Sequence, residues 1–377
     1  MNANQGEPGD LVSSHERRSR RRWDWLFLPL LSVFTIMGLV VFGDVLQQRA
    51  FRAQDHSWAS CVVFDPSLNS LRGIPNSTCL YKHPEFPILE YKFNRCGDYA
   101  NQDCGPKPAN TYRIVMIGSS FAMGLGVEKS QTFASLLPAE ITKRTQKRVE
   151  LYNMSMLWQV PRVVNRRFPE VLAKGPDLVL WAITPWDLEK DTQLLPDEIR
   201  TILPKEGENE SRTAGKGLSF LISHFIAKSK SHYLRSITEG DDDTVGYLRA
   251  SLSTKWTMRL DSLDTDLKQV VFQAKAAGVP LAVTLLPNRP TSALVSTTEL
   301  PPGFAPYNLD AQLRRMVQRD GGIYVEILPG LRSIPDPEQN YFPLDGHPDK
   351  RGHLVLADLL ADGLTQGEFP PLDTVSR

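Results

Sequence analysis

The chain has 377 residues, enough for one large domain with additions or for two domains. Its 41% hydrophobic and 23% charged residues are typical of a globular protein. Lysine plus arginine equals aspartate plus glutamate at 43 each, so the net charge is zero. This balance excludes the basic excess typical of nucleic-acid binding, and we expect no nucleic-acid partner.

The first predicted element is an apolar segment that follows an arginine cluster. Residues 1–22 are polar, with five arginines between positions 17 and 22. From Trp25 to Gly43 the chain is uncharged and mostly apolar, and as a helix it would span about 28 Å, close to the bilayer core. Basic residues before the segment and few just after it predict a cytoplasmic N-terminus.

We therefore expect a cytoplasmic tail over 1–22, a single-pass membrane anchor over 23–46 and a periplasmic, extracytoplasmic main domain. A cleaved signal peptide and a buried core helix are the alternatives. The anchor is favoured because the apolar stretch is long for a signal peptide and no clear A-x-A cleavage site follows it.

All four cysteines lie in the next segment, 47–110, which is rich in Pro, Asn and Asp and has little periodicity. Their spacings match no metal-binding pattern, so an oxidising compartment favours two disulfides, with four free thiols as the alternative. Three pairings are possible, and sequential pairing is a guess: Cys61 with Cys79, and Cys96 with Cys104. We expect an irregular, disulfide-bonded segment packed onto the main domain.

Strands and helices alternate over 111–366, which predicts a doubly wound parallel sheet. Apolar runs predict strands at 112–117, 149–153, 178–183, 281–286 and 322–327. Helical spacing predicts helices at 132–145, 161–173, 254–277, 309–320 and 352–364. The pattern weakens at about 190–252, where we expect an insertion with one helix near 218–227, and 367–377 is expected to be a C-terminal tail.

The first predicted strand ends at a candidate nucleophile. The apolar run Ile114 to Ile117 stops at Gly118 and is followed by Ser119 and Ser120. Ligands of open α/β sheets bind beyond the carboxyl ends of the strands, so a serine at the start of the next helix can attack a substrate once a base takes its proton. Its backbone N–H can help to stabilise an oxyanion. A helix cap is the alternative.

The loop before the last predicted helix supplies a candidate base. Asp345 and His347 lie two residues apart there. His347 can act as a general base, with Asp345 holding the imidazole in the required tautomer. His353 is expected to lie on the helix, where it packs or caps. A polar loop with a helix cap is the alternative for Asp345 and His347.

These residues together resemble the SGNH/GDSL hydrolase superfamily. The resemblance rests on Gly118-Ser119-Ser120 with Gly124, on Asp345-Gly-His347-Pro with Gly352-His353, and on the intermediate stretches 151–155 and 175–188. It covers 111–188 and 253–366, and it indicates a divergent member. It implies a flavodoxin-like α/β/α sandwich that hydrolyses or transfers acyl esters, often O-acetyl groups on sugars, without a cofactor or metal.

The resemblance also implies residue roles. Ser120 is the nucleophile, and its N–H forms part of the oxyanion hole. His347 is the base and Asp345 its partner. Asp345 lies two residues before His347, where the family usually has three, and Asp349 is a weaker alternative.

Three further positions depart from the family pattern. Ser119 stands where the family has an aspartate before the nucleophile. Ser155 stands at the block II glycine, and its N–H can still donate to an oxyanion. Trp186 stands at the block III asparagine; its indole can only donate a hydrogen bond, and it is favoured as a platform for stacking sugar rings. Asn153 lies near a strand end, where it can line the pocket or satisfy the loop.

The sequence therefore predicts a membrane-anchored, extracytoplasmic serine esterase, acyl hydrolase or acyltransferase. The expected substrates are acyl esters, including O-acetyl esters, of envelope glycans or lipids. One alternative is a non-catalytic protein of the same fold that binds carbohydrate or assists envelope assembly, which the altered motifs favour. The other is an unrelated flavodoxin-like protein whose serine loop holds an anion.

Overall fold

The structure is a computed structural model. It describes residues 27–43, 45, 58–81, 83, 85–191, 217–366, 369 and 372. The chain divides into two compact units, Met1–Asp55 with Glu210–Ile222 and His56–Asn209 with Ser223–Arg377. In the first unit, helix α1 spans 27–43.

No helix of the described residues is long and apolar enough to cross a membrane. Residues 1–26, 44 and 46 lie outside the described residues. The anchor over 23–46 and the cytoplasmic tail before it therefore remain predictions.

The disulfide-bonded segment contains two small antiparallel sheets, where the sequence predicted irregular structure. Strand β1 (Val62–Asp65) pairs with β2 (Ser70–Gly73), and β3 (Thr78–Tyr81) pairs with β4 (Leu89–Lys92). Each strand has four residues, at the short end of the usual range, so the period-two pattern has too few repeats to be recognised.

Two disulfides hold this segment together. Cys61 is joined to Cys79 and Cys96 to Cys104, which is the sequential pairing. The first disulfide links the start of β1 to β3. Buried Tyr91 and Phe93 belong to a hydrophobic cluster that also contains Met123 and Leu157 of the α/β domain. The segment and the α/β domain thus share a core.

The α/β domain is built on a five-stranded parallel sheet with the order β6-β5-β7-β8-β9. The strands are β5 (Tyr112–Gly118), β6 (Val149–Asn153), β7 (Leu178–Ile183), β8 (Leu281–Leu285) and β9 (Ile323–Tyr324). Taken in chain order this is 2-1-3-4-5, the flavodoxin-like arrangement, whose ligand crevice lies at the carboxyl ends of the first and third strands. Gly118 at the end of β5 pairs with Ala182 of β7.

Helices cover both faces of the sheet. After α1, the α-helices of the described residues are α2 (Ser120–Met123), α3 (Phe133–Thr145), α4 (Pro161–Ala173), α5 (Pro185–Asp191), α6 (Gly217–Lys228), α7 (Lys230–Thr238), α8 (Asp242–Val245), α9 (Thr254–Ala276), α10 (Arg289–Val295), α11 (Asn308–Asp320), α12 (Leu328–Arg332) and α13 (Lys350–Thr365). Val115 and Ile117 of β5 join the core on one face, whereas Ile114 and Met116 join the core on the other. This alternation gives a three-layer α/β/α arrangement.

Several parts of the α/β pattern differ from the sequence prediction. The short helices α5, α10 and α12 were not predicted. The strand expected over 322–327 is limited to Ile323–Tyr324, because the chain turns into α12, whose Pro329 occupies the first turn. The described residues of the insertion contain three α-helices, α6, α7 and α8, where one was expected. Its residues 192–216 lie outside the described part of the chain.

Candidate active site

The candidate nucleophile lies at the carboxyl end of β5. The strand ends at Gly118, Ser119 occupies the N-cap position, and α2 begins at Ser120. A Cβ on Gly118 would come within 2.5 Å of the Ala182 carbonyl oxygen and 2.8 Å of the Ala122 Cβ. Only glycine therefore allows β5 to pass so close to β7 and α2, and this passage leaves Ser120 half-buried at the crevice.

The loop before α13 brings His347 and Asp345 to this serine. His347 Nε2 lies 2.7 Å from Ser120 Oγ, and His347 Nδ1 lies 2.6 Å from Asp345 Oδ1. The His347 backbone N–H also donates to Asp345 Oδ1, at 3.1 Å. When Nδ1 carries the ring proton and donates a hydrogen bond to the carboxylate, Nε2 is unprotonated and can accept the Ser120 hydroxyl proton.

The charge of Asp345 is maintained by its partners. Burial alone would raise the pKa of this carboxyl. The hydrogen bond and the electrostatic attraction from the His347 ring, together with the hydrogen bond from the His347 backbone N–H, outweigh burial, and the pKa of Asp345 falls below its usual value. Asp345 is therefore ionised at neutral pH and can stabilise an imidazolium at His347.

Two aromatic rings hold the imidazole of His347. The Phe121 ring centroid lies 4.7 Å from that of His347, and the half-buried Trp186 ring meets it edge-on at 5.4 Å. Gly346, with φ of +83°, makes room for Trp186, because a Cβ there would lie 2.9 Å from the indole. The predicted sugar platform thus packs against the base and its loop.

The oxyanion donors differ from the expected set. The N–H of Ser120 forms no hydrogen bond within the described part of the chain, as expected for the first N–H of a helix. The Ser155 N–H, expected to be a second donor, is instead 2.9 Å from Asn153 Oδ1. Asn153 Nδ2 donates to the Ala122 carbonyl at 2.9 Å, so Asn153 braces the loop and does not offer its amide to the pocket. Buried Ser119 makes no side-chain capping bond.

With this geometry established, the chain can be compared with known proteins. No known family model matches it. No curated protein matches it either. Solved structures with similar folds include an esterase, lipases and lipolytic proteins of the G-D-S-L family, at low sequence identity.

Three of these structures illustrate the similarity. A psychrotrophic esterase from Pseudoalteromonas sp. is 14% identical, over 68% of this chain and 96% of that chain, with a TM-score of 0.36. A lipase/acylhydrolase from Enterococcus faecalis is 12% identical, over 67% and 95%, with a TM-score of 0.38. A lipolytic protein of the G-D-S-L family from Veillonella parvula is 10% identical, over 68% and 98%, with a TM-score of 0.35. At these values the functional argument rests on the site geometry.

The remaining polar candidates have structural roles. Asp349, the weaker alternative for the triad acid, caps α13 by accepting from the N–H groups of Arg351 and Gly352. His353 is fully buried on α13, and its Nδ1 accepts from the Phe133 N–H at 3.1 Å. Burial lowers the pKa of His353 to about 3, so this ring is neutral in the folded protein.

Sequence reasoning missed two residues that reach the site. His83 and Glu85 lie between β3 and β4. His83 Nε2 is 3.9 Å from Asp345 Oδ2, and Glu85 accepts from the Asp345 backbone N–H at 2.6 Å. Burial lowers the pKa of His83, which favours its neutral form. The only sequence signal was the presence of ionisable residues in a cysteine-rich segment, 260 residues away from Asp345.

Proposed function

We propose that this chain is a serine esterase or acyltransferase of the SGNH type. One observation carries the proposal: a continuous series of hydrogen bonds runs from Ser120 Oγ through both ring nitrogens of His347 to Asp345. Both distances lie within hydrogen-bond range, and the base is oriented by a carboxylate, as nucleophilic catalysis by serine requires.

The chemistry proceeds in two halves. Ser120 Oγ attacks the ester carbonyl carbon while its proton passes to His347 Nε2, and the Ser120 N–H stabilises the oxyanion. The ester C–O bond then breaks, and the proton on Nε2 goes to the departing alkoxide. In the second half, His347 Nε2 takes a proton from water or from an acceptor hydroxyl, whose oxygen attacks the acyl-enzyme carbonyl. The bond between the acyl carbon and Ser120 Oγ then breaks, and the proton on Nε2 returns to Ser120 Oγ. Water gives hydrolysis, whereas a sugar hydroxyl gives acyl transfer.

The proposed substrates are acyl esters, including O-acetyl esters, of envelope glycans or lipids. The proposed location is the extracytoplasmic side of a membrane, with the apolar segment of residues 23–46 as the anchor. Two observations support an oxidising compartment and an anchor: two disulfides join the four cysteines, and helix α1 is apolar and mostly exposed.

The test is covalent labelling of the full-length protein in detergent with a fluorophosphonate probe, together with hydrolysis of p-nitrophenyl acetate. We expect labelling at Ser120 and loss of labelling and turnover in Ser120→Ala. Ser296→Ala is the control, because Ser296 follows the last residue of α10 and its hydroxyl donates, among the described residues, to the Ala293 carbonyl of the same helix. If wild type and Ser120→Ala behave alike, the proposal is wrong. Glycan binding that persists in both, without turnover, would instead support the non-catalytic alternative.

A further inference from the structure

The loop between β3 and β4 contains a carboxylate that is almost completely removed from water. The side chain of Glu85 is 1% exposed. Burying an ionised carboxylate costs several kcal/mol unless charged or hydrogen-bonding groups compensate it. A carboxylate in such a position therefore requires partners that compensate its burial.

Three donors surround this carboxylate, and two of them belong to the loop of the candidate active site. The Asp345 N–H donates to Oε2 at 2.6 Å. The Leu344 N–H reaches both oxygens, at 3.1 and 3.0 Å. His224 Nδ1, on α6, lies 2.8 Å from Oε1. The guanidinium of Arg289 adds electrostatic attraction to Glu85.

Further contacts fix the same loop from both sides. The ring of Phe86, next to Glu85, lies 4.5 Å from that of Phe342. Arg289 donates to the carbonyl of Pro343, one residue before the two N–H groups that Glu85 binds. Glu85 thus binds the N–H groups of Leu344 and Asp345, while Arg289 binds the carbonyl of the preceding residue. These contacts restrict movement of the backbone at Asp345.

We propose that Glu85 is a positioning residue for the reaction, holding the backbone of Leu344 and Asp345 so that His347 reaches Ser120. This inference rests on the proposed function. It makes the β3–β4 loop, and with it the disulfide-bonded segment, a part of the active site. Glu85 acts through Asp345 and touches no reacting atom in this proposal.

The expected effect follows from what Glu85→Gln removes. The amide has no negative charge, so even with its oxygen at the Oε2 position the hydrogen bonds from the Leu344 and Asp345 N–H groups are weaker. Its NH₂ group then stands at the Oε1 position, where it places a donor against the Leu344 N–H. A shift of about 1 Å at a catalytic group can reduce the rate by about 10²-fold. We expect kcat of Glu85→Gln to fall by about 10–100-fold, with KM within about twofold of wild type.

The experiment compares wild type, Glu85→Gln and Glu90→Gln as full-length proteins in detergent. Glu90 is the matched control, since it is an exposed carboxylate on β4 of the same segment. Kinetics on p-nitrophenyl acetate give kcat and KM. Proton NMR follows the downfield signal of the His347 Nδ1–H, identified by its loss in His347→Ala, and this signal does not depend on turnover.

Loss of kcat at constant KM, with loss or movement of the Nδ1–H signal in Glu85→Gln but not in Glu90→Gln, supports the proposal. A folded Glu85→Gln with unchanged kcat and an unchanged signal overturns it. If Glu85→Gln does not fold, Glu85→Asp replaces it: its shorter side chain cannot hold both N–H groups, so unchanged kcat and signal in that variant overturn the proposal. If wild type hydrolyses no ester and takes no label, the proposed function fails, while the NMR comparison still decides the role of Glu85.

Discussion

Replacing Asp345 with asparagine is the sharpest test of the hydrogen-bond series. In Asp345→Asn the side chain would keep an oxygen for the backbone N–H of His347, which now donates to Oδ1 at 3.1 Å. Nδ1 contacts the same oxygen at 2.6 Å, so in this orientation the side chain would lose the negative charge beside the ring, whereas a flipped amide would present its N–H to Nδ1 and favour the wrong imidazole tautomer. The comparable change in a serine protease lowers kcat by about 10⁴-fold.

The size of the decrease in kcat distinguishes two possible roles of Asp345. If it supports the base as proposed, we expect kcat to fall by about 10³–10⁴-fold, which corresponds to about 4–5.5 kcal/mol of transition-state stabilisation. If it only holds its loop, the change is that of one hydrogen bond to a charged group, about 1.5–3 kcal/mol, or roughly 10–150-fold.

The assay is steady-state hydrolysis of p-nitrophenyl acetate, with thermal unfolding measured on the same preparations. Asp349→Asn is the matched control, because Asp349 lies in the same loop and caps α13 through an oxygen that asparagine retains. We expect it to keep wild-type kcat. A loss below about 100-fold in Asp345→Asn, or a loss of about 10³-fold in Asp349→Asn, would refute the assignment of the triad acid.

Two further predictions concern stability. The pKa of His353 is about 3 in the folded protein and near 6.5 in the unfolded chain. Between these pH values the unfolded chain therefore binds one more proton at this residue than the folded protein does. The free energy of unfolding should fall as the pH drops from 6.5 towards 3, by up to about 1.4 kcal/mol per pH unit. His353→Gln, which keeps an acceptor for the Phe133 N–H, should flatten this slope in urea unfolding at pH 7 and 5, and an unaltered slope would contradict the argument. Asn153→Ala leaves the Ser155 N–H and the Ala122 carbonyl without their partner, so the free energy of unfolding should fall by about 2–4 kcal/mol. A fall below about 0.5 kcal/mol would show that Asn153 does not stabilise this loop.

Local patterns in the sequence were sufficient for the central strands and the helices that cover them. The strand at Leu178–Ile183 and the helix at Pro161–Ala173 have the predicted bounds. The first is a continuous apolar run introduced by Gly-Pro-Asp, and the second has helical periodicity with proline in the first turn. Such elements carry their start, period and end within one stretch of chain.

The elements that were missed, or whose length was wrong, depend on distant partners. Strand β9 was predicted at 322–327 but is limited to the two residues that pair with β8. Strands β1 to β4 are short. Their segment is held by two disulfides and by a hydrophobic cluster that it shares with the α/β domain. Glu85 has no local motif at all, since its partners lie on α6 and on the loop before α13. Proximity of that kind is created by the fold and leaves no signal in the spacing of residues.

The departures from the family pattern have one common consequence. Trp186, at the position of the expected asparagine, packs against His347 and Gly346, so it clamps the base. The Ser155 N–H is already bonded to Asn153. Ser120 therefore has a base that is held in position by Asp345. Of the expected backbone oxyanion donors, the Ser120 N–H is the one that forms no hydrogen bond within the described residues. Since one missing oxyanion donor typically lowers kcat by about 10²–10³-fold, the proposed esterase would have a low kcat with the Ser120 N–H as its single donor.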